Sequence, residues 1–141
     1  MQKGAAFMRD ETPFQLLQCA MRDLRVLGHM LDEEDFPEAI FGFHAQQAAE
    51  KLLKVWLICA TDNYPMFHDL SMLLKLLERA EVDTAPYTHF ESLTDYAVRF
   101  RYESTLDSEP LERTQIITDI QGLLGLVQAR FAEAESQGRF D

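Results

Sequence analysis

The sequence predicts an all-α fold, an up-and-down antiparallel helical bundle of five helices, four long and one shorter. Three observations predict it. Five stretches carry apolar residues at spacings that place them on one helix face. No stretch alternates apolar and polar residues as a half-buried strand does. The connections between the five stretches are short, which favours antiparallel neighbours. Hydrophobic residues make up 47% of the 141, charged residues 26%, with only 6 Gly and 5 Pro. That composition suits one compact domain over 1–141, with its core at about 13–134 and short polar tails.

The first helix is predicted from about residue 13 to 31. Phe14, Leu17, Met21, Leu24, Gly28 and Leu31 form its apolar stripe, with Arg22 and Arg25 on the other side. Thr12 supplies a cap and Pro13 a first-turn proline. The acidic connection DEEDFPE follows, in which Asp35 and Glu38 have the spacing of a capping box for the second helix. Along that helix Phe41, Ala45, Ala48, Ala49, Leu52, Val55, Trp56 and Cys59 fall on one continuous arc. Its small alanines would let a neighbour approach closely. It should end near Thr61, where TDNYP gives turn chemistry.

The third, shorter helix begins around HDL and buries Leu70, Leu73, Leu74 and Leu77. A fourth is predicted from near Tyr87, with Phe90, Leu93, Ala97 and Phe100 inward and Asp95 four residues before Arg99 as a surface pair. YESTLDSEP interrupts the pattern. The last helix presents Ile116, Ile120, Leu123, Val127, Phe131 and Ala134 before the polar tail SQGRFD.

Charge narrows the function. The 24 acidic residues outnumber the 13 basic ones, for a net charge of -11. Attraction to phosphate dominates non-specific nucleic-acid affinity, so a general nucleic-acid coat is excluded, though one small basic pocket is not. Cys19 and Cys59 lie in apolar helical patterns at no metal or redox spacing and read as reduced core thiols. The four histidines lack the spacing of a metal site, and no metal or other cofactor is expected. No apolar run approaches the roughly 20 residues of a membrane span. MQKGAAFMRDE lacks the hydrophobic stretch of a secretion signal, so the cytoplasm is the expected location.

The second helix poses the functional question. His44, Gln47, Lys51 and Lys54 fall within about 80° of one another around it. Glu50 lies just beyond, four residues before Lys54. One reading is a solvated face with an ordinary ion pair. The other is a cleft or a subunit contact, since Ile40, Phe43, Leu57 and Ile58 bracket the polar groups. His29 is expected to face solvent. His68, beside Asp69, either caps or packs at the start of the third helix.

FHAQQAAEKLLKVWLI, followed by Pro65, by His68-Asp69-Leu70 and by a leucine-rich helix, resembles the HEPN domain family. YAVRFRY, residues 96–102, is similar to the end of that family's fourth helix. The resemblance covers about residues 13–134 and is most specific where Q-x-A-E-K-x-x-K joins the downstream H-D-L. It implies a small helical bundle, commonly dimeric and often encoded beside a minimal nucleotidyltransferase. It also implies either a metal-independent ribonuclease or a non-catalytic nucleotide-binding or partner-binding module.

HEPN ribonucleases resemble one another in an arginine with a histidine roughly four to six residues later, the histidine moving protons and the arginine steadying phosphate charge. Here Arg99 is followed by FRYESTL and Arg101 by YESTLDS, both without histidine. Glu103 stands where the family often has proline, adding negative charge. His89, ten residues before Arg99, is nearly three turns away and cannot be the partner in cis. The sequence therefore predicts no catalytic residues. It predicts a HEPN-type module that binds a minimal nucleotidyltransferase partner, a nucleotide, or both, in a toxin-antitoxin-like setting. The nucleotide site would draw on His44, Gln47, Lys51, Lys54, His68, Arg99 and Arg101. The alternative is a HEPN toxin, a ribonuclease with a rearranged site. A homodimer is expected, with the second or fourth helix at its interface, because Ile40, Phe43 and Ile58 would be costly as one exposed patch.

Overall fold

A computed structural model describes residues 12–66, 69–94 and 111–140. Among them four α-helices, α1 (Pro13–Leu27), α2 (Glu38–Thr61), α3 (Leu70–Arg79) and α4 (Arg113–Ser136), are joined by a 3-10 helix, Ala85–Leu93, and there is no strand. Helix α2 is the hub and packs against every other element. No helix of the described residues is long and apolar enough to cross a membrane.

Helix α1 opens as its sequence dictates. The Thr12 hydroxyl accepts from Gln15 N at 3.1 Å, and the Gln15 side chain accepts from Thr12 N at 2.8 Å, a complete capping box. It ends four residues earlier than predicted, at Leu27. Its buried residues are Leu16, Leu17, Ala20 and Leu27, so the inward face is rotated from the predicted stripe. Phe14 is 53% exposed and Leu31 46%. Phe14 instead stacks on Phe131, with centroids 6.4 Å apart.

The predicted Asp35–Glu38 capping box does not form. The N-cap of α2 is Pro37, with no side-chain cap. Glu38 turns instead to Arg113, whose guanidinium donates to Glu38 Oε1 at 2.6 Å, while Leu111 N donates to Glu38 Oε2 at 2.7 Å. Arg113 is only 5% exposed, and donates also to Met30 O at 2.7 Å and Phe36 O at 2.6 Å. Its Cζ lies 5.0 Å from the Phe41 ring centroid. One buried cation thus ties the acidic connection to the start of α4. A buried charge is tolerable only with such full hydrogen bonding.

Along α2 the alanine arc is buried as predicted, with Ala45, Ala48 and Ala49 fully enclosed. The helix stops at Asp62, in the left-handed conformation at φ 73°, whose N–H bonds back to Ile58 O at 2.8 Å. Aspartate tolerates that region better than most residues. Helix α3 starts where HDL predicted, with Asp69 capping Ser71 N at 2.9 Å. Its leucines Leu70, Leu73, Leu74 and Leu77 all face the core.

Where the fourth helix was predicted to begin, Ala85–Leu93 forms a 3-10 helix. At three residues per turn Tyr87, Phe90 and Leu93 stand in single file. Phe90 and Leu93 are buried, and Tyr87 meets Trp56 edge-on at 5.5 Å. Ala97, Phe100 and the Asp95–Arg99 pair lie outside the described residues. In α4 Ile120, Leu123, Val127, Phe131 and Ala134 are buried in the predicted register, with Ile116 partly so.

The segment SQGRFD does more than trail off. Ser136 is still helical, and Gly138 takes φ +76°. Gly138 N bonds Glu135 O at 2.9 Å and Arg139 N bonds Ala134 O at 3.1 Å, a Schellman turn. It folds Arg139 and Phe140 back onto the bundle.

Candidate functional site

The polar residues at mid-length of α2 split into two groups. Gln46, Glu50 and Lys54 recur every four residues and rise along one edge of the helix. Gln46 Nε2 donates to Glu50 Oε1 at 2.8 Å, and Lys54 Nζ donates to Glu50 Oε2 at 2.7 Å. The ion pair is nearly dry, with side chains 8% and 5% exposed. Lys54 Nζ also sits 5.5 Å from the Tyr64 ring centroid, where the ring face attracts a cation. Gln47 joins from the side, its Nε2 donating to Gln46 Oε1 at 2.9 Å.

Lys51 faces another neighbour. Its ammonium donates to Asp23 of α1 at 2.5 Å, a pair about one-quarter exposed that bridges the two helices. His44 is partly buried and set edge-on to Phe43 at 5.4 Å. His68, Arg99 and Arg101 lie outside the described residues.

Two of the proposed site residues, Gln47 and Lys54, therefore share one hydrogen-bonded chain. Lys51 stands beside it with a carboxylate of its own. Both lysines carry internal counter-charges; Gln46, Glu50 and Lys54 form a buried polar seam, with Gln47 and Lys51 partly exposed beside it. Ile58 is buried in the core, and Ile40 packs partly against it, so neither is a bare apolar patch. His29 is exposed, as expected.

Three residues outside the predicted site organise α2: Gln46, Asp23 and Arg113. Gln46 was legible: with Glu50 and Lys54 it repeats at a helical spacing through an otherwise apolar segment. Asp23 gave no local signal, because its partner is 28 residues away and only the packing of α1 on α2 brings them together. Arg113 likewise gave none; its partners lie 75 to 83 residues upstream.

Elsewhere, Cys19 and Cys59 are free and half-buried. Burial pushes the Cys59 thiol up to about 11, while nearby Arg139 pulls the other way. Such a thiol is mostly protonated and a poor nucleophile at neutral pH. Among the described residues no three His, Cys, Asp or Glu side chains gather as a metal site would require.

Neither a curated protein nor a solved structure matches the chain. A family model described as HEPN domain matches residues 15–130, most of its length, including α2 and its polar seam. The chain belongs to the HEPN domain family, as a helical module of the nucleotide- and RNA-related kind.

Proposed function

We propose that this HEPN module is non-catalytic and works by binding a protein partner, a minimal nucleotidyltransferase, in a toxin-antitoxin-like setting. The observation that carries the reading is the neutralisation of the α2 lysines. Lys54 is held by Glu50 and Lys51 by Asp23, on a chain of net charge -11. A phosphate would have to displace a carboxylate from each ammonium, and one of those pairs is nearly dry. That favours lysines that shape the module over lysines that grip a nucleotide. The runs after Arg99 and Arg101 lack histidine, so the general acid-base group of a HEPN ribonuclease is missing there.

A homodimer belongs to the same reading, with α2 near its interface and partly buried Ile40 and Phe43 as the apolar part of the contact. Sedimentation at high concentration should show a particle of twice 16.3 kDa. A single-chain particle under those conditions contradicts the dimer.

Co-purification tests the partner. A tagged chain, co-expressed with a minimal nucleotidyltransferase, should retain that protein through size exclusion at micromolar concentration. Separation of the two overturns the reading. Metal-free cleavage of RNA by the purified chain, abolished in Arg101→Ala, would install the ribonuclease in its place.

A further inference from the structure

We propose that the turn at Gly138–Phe140 is a releasable strap that closes a groove between α2 and α4 and shields Cys59.

The strap is built from three parts. Gly138, at φ +76°, supplies a reversal that residues with a Cβ rarely adopt. Arg139 then reaches across to the end of α2 and donates to Cys59 O at 2.7 Å, Ile58 O at 3.2 Å and Asp62 Oδ1 at 2.5 Å. Of these oxygens Cys59 O is a carbonyl of the last helical turn, which the helix itself leaves without a donor, while Ile58 O already accepts from Asp62 N. Phe140 stacks on Phe131 with centroids 5.2 Å apart, extending the Phe14–Phe131 pair.

Beside the strap lies a half-open pocket of about 240 Å³, with Trp56, Cys59 and Glu133 among its walls and Arg139 as another. A second hollow of about 380 Å³ shares Trp56, Val82 and Arg130 with the first. Lifting Arg139 removes a wall of the first pocket and uncovers the Cys59 backbone carbonyl.

Release is built in because the contacts sit at the solvent edge. The Arg139 side chain is 27% exposed and that of Asp62 72%. Salt screens an ion pair so placed. The buried Glu38–Arg113 clamp at the other end of α2 has no such weakness.

Thiol labelling of the full chain tests the strap, with alkylation at Cys59 and Cys19 followed separately by peptide mass spectrometry. Cys19 sits on α1, outside the strap's contacts, and reports general loosening. Arg139→Ala should raise the Cys59 rate by about tenfold or more, as local opening does, and leave Cys19 unchanged. Asp62→Asn should give a smaller rise, because the two carbonyl bonds persist. Raising salt to about 1 M should accelerate Cys59 in the unsubstituted chain. A Cys59 rate that neither the substitutions nor salt alters overturns the proposal. So does a rise shared equally by Cys19, since that marks loosening of the whole bundle. Should Arg139→Ala fail to fold, Asp62→Asn and the salt series decide on the same terms.

Discussion

Individual side chains carry unequal weight here, and burial decides which. Arg113 is buried and held by a carboxylate and backbone carbonyls, so removing it strands the buried Met30 carbonyl and leaves the partly buried Glu38 without its cation. Arg113→Ala should cost about 3–5 kcal/mol in denaturant unfolding. Lys51→Ala breaks a pair that is partly wet on both sides and should cost less than about 1 kcal/mol. Near-equal costs would show that burial has been misjudged at one of the two. Cys59 adds a pH dependence. Its folded pKa of about 11 lies above the usual 9.0, so the folded chain holds this proton more tightly than the unfolded one. The stability it contributes is complete below about pH 9 and is lost as pH climbs through about 11. Comparing Cys59→Ala with the unsubstituted chain across that window should show a shallower alkaline decline in the variant. Parallel declines would remove the effect.

At the scale of elements, what the sequence disclosed depended on whether the deciding partner was local. The cap at Thr12 and the leucine face of α3 rest on neighbours in sequence and were read, whereas the α3 cap was offered to His68 and belongs to Asp69. Thr12→Ala and Asp69→Ala should each cost about 1 kcal/mol, read as a shift in the denaturation midpoint. A change in neither would mean that both helix starts are held by tertiary contacts alone. The start of α2 was misread because Glu38 has two possible duties, a local cap and a distant arginine. The distant partner prevails because Arg113 is buried and needs an anion. The inward face of α1 was misread for a related reason. Period fixes which residues share a face, but the packing against α2 fixes how far that face is turned.

For the molecule as a whole, α2 runs through the bundle with a polar seam in an apolar shaft. A buried ion pair of this kind contributes little net stability against apolar replacements; its attested use is in fixing one packing register. The sequence placed Gln47, Lys51 and Lys54 near one another and offered Glu50 as the partner of Lys54, but not Asp23 as that of Lys51. Apolar burial elsewhere on α2 is visible in periodicity, whereas a counter-charge from α1 is not. The family likeness was readable because it rests on a contiguous run, Gln47 to Lys54, joined to His68-Asp69-Leu70.

The central claim is that the α2 lysines are counter-charges for Asp23 and Glu50 and do not grip phosphate. Calorimetric titration of ATP and of GTP into the purified chain tests it most directly. The account predicts no saturable heat up to about 1 mM nucleotide, whether or not Lys51 is replaced by alanine. Saturable binding at micromolar concentration, lost in Lys51→Ala, would contradict it.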